Sequence, residues 1–370
     1  MIAKDDIVIR KAILHILDTV HGDCILSNTL LDPGPDLYEF IRNHIYKIVI
    51  SDDTKDCEFN PETSPVYSVL AAWDESDEES FISTSQVIAE KLYTAMSQGL
   101  DIPAADLLFV TFQAEGVIYL ALLKMNYKES YTHEISVSDA SAADISPDID
   151  IYSGTDASSG ISSEEESGTA EVRADIVKSR SLLPASSTRI PEAIIINLDD
   201  LHIKLLEKRY EVNGEKVFYL SENFLVCHTS LPPKKKLNIL TRVINTISNK
   251  YDGADLKTKM DTKSALQKEY VDRQSFDVEE IGNRLFGNSP EKKSEFDEKM
   301  EQYDLQFDNF TVTNESTVKK LEKQIMVTDS GIEISIPMET YNKLANLEVQ
   351  TDVTGKTTII IKNIDNLILK

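Results

Sequence analysis

Five cationic side chains, Lys234, Lys235, Lys236, Arg242 and Lys250, fall between Pro233 and Lys250 with no acidic residue among them. Cations grouped in this way suit the phosphate backbone of double-stranded DNA, where contacts depend on salt and carry no sequence preference. Lys234, Lys235 and Lys236 stand in the first turn of a predicted helix, beside the positive end of its dipole. That placement is unfavourable for cations, and a bound phosphate would relieve it. The alternative is a solvated lysine run that keeps a helix end soluble. A second group, Lys204, Lys208, Arg209 and Lys216, is weaker because Glu207, Glu211 and Glu215 interleave with it.

Other chemistries have less to work with. A metal-dependent nuclease needs clustered carboxylates beside a lysine, to hold a divalent cation and stabilise the charge of the transferring phosphoryl group. Asp199, Asp200, Glu215 and Lys216 could be drawn into that shape, but the first two read as turn residues and the last two as the start of a strand. His15, His21 and Cys24 fall on a strand, a turn and the next strand with no fourth ligand nearby, and Cys227 with His228 is a lone pair. None of the 13 glycines forms a Gly-x-Gly-x-x-Gly or Walker pattern, and there is no Gly-x-Ser-x-Gly elbow. No catalytic residue, metal site or cofactor is therefore expected. Cys24, Cys57 and Cys227 are too few and too scattered for a disulfide framework, which points to a reduced interior.

The elements that must position these groups can be read from periodicity. Residues 7–17 and 24–26 read as strands, and residues 36–48 as a helix opened by a capping box of Asp36 and Glu39. Residues 52–80 hold ten acids against one lysine and read as a loosely packed connection. A second amphipathic helix covers 83–96. Residues 106–112 and 117–123 form a hairpin whose near-continuous apolar runs predict central strands buried on both faces. Residues 137–172, with nine serines, nine acids and no Lys or Arg, read as a disordered acidic insertion that need not end the sheet. A three-stranded meander is predicted over 193–220, with Asn213-Gly214 as a type I′ turn. The cation-bearing helix follows. Its Leu237, Leu240, Ile244, Ile247 and Tyr251 alternate by three and four, which serves its own core or, at heptad spacing, a homodimer interface. The chain stays polar and mostly helical to about residue 302. It closes with strands near 307–312 and 332–336, helices near 318–323 and 338–344, and a hairpin of 347–352 with 357–361.

The chain has 370 residues, 41% of them hydrophobic and 27% charged, ordinary values for a globular protein of about two domains. No apolar stretch approaches the roughly 20 residues of a membrane span. The acids of the N-terminus argue against a secretory signal. Net charge is −25 and unevenly spread: −14 over 1–136, −9 over 137–172 and −2 over 173–370. The acidic front suits a basic protein surface, and only the back half suits a phosphate backbone.

The order of elements resembles the 37-kilodalton nucleoid-associated protein family of bacteria. The likeness is carried by residues 105–112 (ADLLFVTF) through 119–124 (YLALLK), by 182–184 (LLP) with 191–196 (PEAIII), and by 217–221 (VFYLS) with Phe224 and Leu225. The final hairpin with Thr357, Ile359, Ile361 and Lys362 completes it. It implies a cytoplasmic, nucleoid-located protein and transfers no catalytic constellation. The expected fold is α+β: an N-terminal domain over 1–232 containing the acidic insertion, a helical region over 233–305 and a smaller α+β unit over 306–370. The expected function is non-enzymatic association with the nucleoid, binding DNA without sequence preference through Lys234, Lys235, Lys236, Arg242 and Lys250, with nucleoid proteins as further partners. The first alternative is an interaction protein without DNA contact, partnering a DNA-topology enzyme or serving in a defence complex. The second is the nuclease.

Overall fold

A computed structural model describes residues 2–99, 101–138, 171–212, 214–253, 256–342, 347–352 and 356–364. Along the chain run β1 (Val8–Asp18), β2 (Asp23–Ile25), α1 (Pro35–Val49), β3 (Lys55–Phe59), α2 (Tyr67–Leu70) and α3 (Glu78–Met96). Next come β4 (Ala105–Ala114), β5 (Val117–Asn126), β6 (Lys128–Ser138), β7 (Glu171–Leu182), β8 (Glu192–Asn197) and β9 (Ile203–Leu206). A hairpin of β10 (Tyr210–Val212) and β11 (Glu215–Val217), a π-helical turn at Leu220–Leu225 and β12 (Cys227–Thr229) lead to α4 (Pro233–Tyr251) and α5 (Leu256–Arg273). The remainder comprises β13 (Phe276–Asp277), α6 (Val278–Phe286), α7 (Pro290–Glu301), β14 (Asn309–Phe310), α8 (Glu315–Glu322), β15 (Lys323–Val327), β16 (Glu333–Pro337), α9 (Met338–Asn342), β17 (Leu347–Thr351) and β18 (Thr357–Ile361). The mixture is α+β.

An eight-stranded antiparallel sheet in the order β12-β3-β9-β8-β5-β4-β1-β2 organises the front of the chain. As the apolar runs predict, β4 and β5 are central. Leu107, Phe109, Leu120 and Leu122 point to the face covered by α3, where Phe81, Ile88 and Leu92 complete the core. The alternate residues Leu108, Val110, Ala121 and Leu123 are equally buried on the other face, the side taken by α1 with Ile41, Ile45 and Ile48. Strand β5 pairs with β8, so the sheet resumes after the acidic insertion. Residues 139–170 of that insertion lie outside the described residues, and its ends belong to β6 and β7.

Three local expectations are corrected. Residues 52–80 are packed: β3 joins the sheet between β9 and β12, and Cys57, Phe59, Val66 and Leu70 enter the core. Their acids are carried on the loops and exposed positions around these few anchors. The meander also divides. Strand β9 pairs with β8 and β3, whereas β10 and β11 form a separate two-stranded sheet. Helix α1 starts at Gly34 with Pro35 in its first turn and no side-chain cap, so Asp36 and Glu39 form no capping box. Asn213 of the predicted turn lies outside the described residues.

The chain forms two compact units, Met1–Asn126 with Pro184–Lys370, and Tyr127–Leu183. The smaller is the β6–β7 ribbon, paired from Lys128 opposite Leu182 to Ser138 opposite Glu171, with a register shift between Lys128 and Ser130. Within the larger, a second apolar cluster joins α4, α6, α7 and β14 through Leu240, Ile244, Ile281, Phe296 and Phe310. A third gathers Met260, Ile336, Met338, Tyr341 and Leu347.

Candidate nucleic-acid interface

Pro233 fixes the backbone of the first turn of α4, where its missing N–H costs nothing. The buried stripe of Leu237, Leu240, Ile244 and Ile247 then docks the helix against the core of its own chain. The cations occupy what remains of its circumference. At about 100° per residue, Lys234, Lys235, Lys236, Arg242 and Lys250 fan over roughly 200° of the helix, and about 24 Å separates the first from the last.

Most of them already have partners. Lys234 Nζ lies 3.1 Å from Asp53 Oδ2, an oxygen that Arg189 also reaches at 2.8 Å. Burial alone would raise the Asp53 carboxyl, but the hydrogen bonds from Arg189 and Lys234 outweigh it and hold the pKa below its ordinary value. Lys236 Nζ is 2.8 Å from Asp308 Oδ2. Lys250 Nζ is 2.6 Å from Glu295 Oε2, whose hydrogen bond raises the lysine above its usual range. Arg242 donates to the Tyr303 hydroxyl at 3.0 Å and lies 5.7 Å over that ring. Lys235 is exposed and has no carboxylate partner among the described residues.

In the second group, Lys204 Nζ sits 3.3 Å from Asp56 Oδ1. Arg209 covers the Phe218 ring at 4.5 Å, a ring that Lys55 also approaches at 3.5 Å. Lys208 is exposed. The counter-ions were not legible in the sequence because they come from afar: Asp53 is 181 positions from Lys234, and Glu295 is 45 from Lys250.

The groups proposed for other chemistries do not converge on a site. Asp200 accepts the His202 N–H at 2.9 Å in the turn after β8, while Glu215 and Lys216 lie on β11 in another sheet. No group of three or more His, Cys, Asp or Glu able to hold a metal occurs among the described residues. His15 is fully buried, accepts the Ser27 N–H at Nδ1 and contacts Ser85 Oγ through Nε2. Glu192, also fully buried, receives Lys124 at 3.0 Å, Asn126 at 3.2 Å, Tyr210 at 2.8 Å and Tyr219 at 2.7 Å. Burial lowers the Lys124 ammonium pKa and raises that of the Tyr219 phenol. Such a saturated carboxylate has no capacity left for a substrate.

Comparison with curated proteins finds no match. The sequence model of one family, described as nucleoid-associated protein YejK, matches residues 13–368. That stretch runs from β1 past β18 and so takes in the eight-stranded sheet, the cation-bearing helix and the closing hairpins. By that match the chain belongs to the nucleoid-associated protein YejK family.

Proposed function

We propose that this protein associates with the nucleoid without catalysing a reaction, and that it does so by docking on a basic, DNA-bound protein. The observation that carries this reading is the pairing of Lys234, Lys236, Lys250 and Lys204 with carboxylates at 3.3 Å or less. Affinity for a phosphate backbone comes largely from counterion release by unpaired cations. A lysine that already holds a carboxylate must give it up first, and the freed carboxylate then repels the phosphate. The −25 net charge works in the same direction and suits a cationic partner surface.

Sedimentation with isolated nucleoids tests this. The protein should travel with intact nucleoids and lose that association when they are stripped of protein, although the DNA remains. Equal sedimentation with deproteinised DNA would overturn the reading. Lys235, Lys208 and Arg209 favour a second one, because they are exposed and have no carboxylate partner among the described residues. On that reading they grip DNA directly, and their joint replacement by alanine abolishes the sedimentation that deproteinised DNA supports.

A further inference from the structure

A pocket of about 410 Å³ opens between α4, α5 and α8. Four lysines line it, Lys234, Lys259, Lys263 and Lys320, and among the described residues its lining contains no Asp or Glu. In a chain with 63 acidic and 38 basic side chains, four lysines gathered with no acid among the described lining residues run against composition.

The helices place these groups by their period. Lys234, Asn238, Thr241 and Asn245 recur at four, three and four residues and share one face of α4. Lys259 and Lys263 stand one turn apart on α5, a like-charge spacing that disfavours a helix unless an anion lies between them. Lys263 is half-buried. Its ammonium donates to the Lys323 carbonyl at 2.8 Å and to Gln324 Oε1 at 3.2 Å, both neutral acceptors. Burial pushes its pKa down, and no carboxylate among the described residues opposes that. Lys259 and Lys320 are exposed, with no ion-pair partner among the described residues. Lys234 is the exception, tied to Asp53. Leu237, Met260 and Leu321 give the pocket an apolar wall.

We propose that this pocket binds a small phosphate ester. Its phosphate is held by Lys259, Lys263 and Lys320, and its organic body rests on Leu237, Met260 and Leu321. Three ammonium groups without a carboxylate partner among the described residues call for more than one negative charge. A phosphate monoester carries about −1.5 to −2 at neutral pH, whereas a simple carboxylate carries one negative charge. Lysine binds phosphate as a point charge and needs no bidentate geometry. The volume falls within the range of small-molecule sites. The assignment is independent of how the protein reaches the nucleoid.

Calorimetric titration of the full chain with inorganic pyrophosphate, ADP and glucose 6-phosphate tests it, beside thermal unfolding with each compound. At least one ester should bind more tightly than pyrophosphate and raise the unfolding midpoint. Lys259→Glu and Lys320→Glu alter exposed positions and should not lower the ligand-free midpoint, which Lys259→Glu should raise slightly by replacing the like-charge pair with Lys263. Each should weaken ester binding by at least about ten-fold, equivalent to about 1.4 kcal/mol. Absence of binding by all three compounds at millimolar concentration would overturn the assignment. So would wild-type affinity in both variants, or pyrophosphate binding that neither ester improves on. A short DNA duplex that displaces the ester at lower concentration than the ester itself would make the lysines a backbone contact and not a small-molecule site.

Discussion

Asp53 Oδ2 lies 3.1 Å from Lys234 Nζ, joining two residues 181 positions apart in the chain. The lysine that opens the most cationic stretch of the sequence therefore spends its charge inside the molecule. Because Asp53 also holds Arg189, one carboxylate masks two cations.

Replacing Asp53 with asparagine should unmask them. Affinity for duplex DNA should rise, and the slope of log affinity against log salt should steepen by up to about 0.9 for each cation released. The pairs are partly exposed, so unfolding free energy should fall by less than about 1 kcal/mol. Anisotropy titrations at several salt concentrations read the first effect and denaturant unfolding the second.

Its neighbour should behave oppositely. Asp52 is 4% exposed and accepts the Thr313 N–H at 2.7 Å, the Thr313 hydroxyl at 3.2 Å and the Asn314 N–H at 3.1 Å. These bonds tie the loop before β3 to the segment entering α8. Asp52→Ala leaves those donors without their acceptor and should cost about 2 kcal/mol, with no gain in DNA affinity. Urea unfolding of the two variants side by side checks the contrast.

Much of this architecture was legible in the sequence, and the failures have a common cause. The β4–β5 hairpin and α4 announce themselves because local apolar period and tertiary burial coincide. Strand β3 does not. Its segment is dominated by acids, and Asp52, Asp53 and Asp56 are each satisfied by groups from the distant back half: the 313–314 backbone, Lys234 and Lys204. The predicted meander failed for the same reason, since β9 takes β3 as its second neighbour across some 150 positions. The cations of α4 were visible as residues, but their neutralisation was not. Lys259, Lys263 and Lys320 form no group in the sequence, because each stands in a polar helix and only the packing of α4, α5 and α8 brings them together.

The buried Lys124–Glu192 pair makes a third prediction. Glu192→Gln strands an ammonium 2% exposed and should cost about 3–5 kcal/mol. Adding Lys124→Met removes the stranded charge, so the double variant should be more stable than the sum of the two single losses. A double-mutant cycle by chemical denaturation measures that coupling.

His15 sets a pH dependence. Burial lowers its pKa from 6.5 to about 4, so the folded protein keeps it neutral while the unfolded chain takes up a proton. Stability should be insensitive to this group above pH 6.5 and fall as the pH drops from there towards 4, by a total of about 3 kcal/mol. His15→Gln should flatten that part of the profile, as measured by unfolding free energy between pH 4 and 7.

The central claim is that Lys234, Lys236 and Lys250, three of the five α4 cations, are spent on the protein's own carboxylates. Its most direct test is the affinity of the purified full chain for duplex DNA, measured by anisotropy across a salt series. The account predicts weak binding with a shallow slope, unchanged when Lys234, Lys236 and Lys250 are replaced together by alanine. Tight binding with a slope of several units, reduced by that triple replacement, would contradict it.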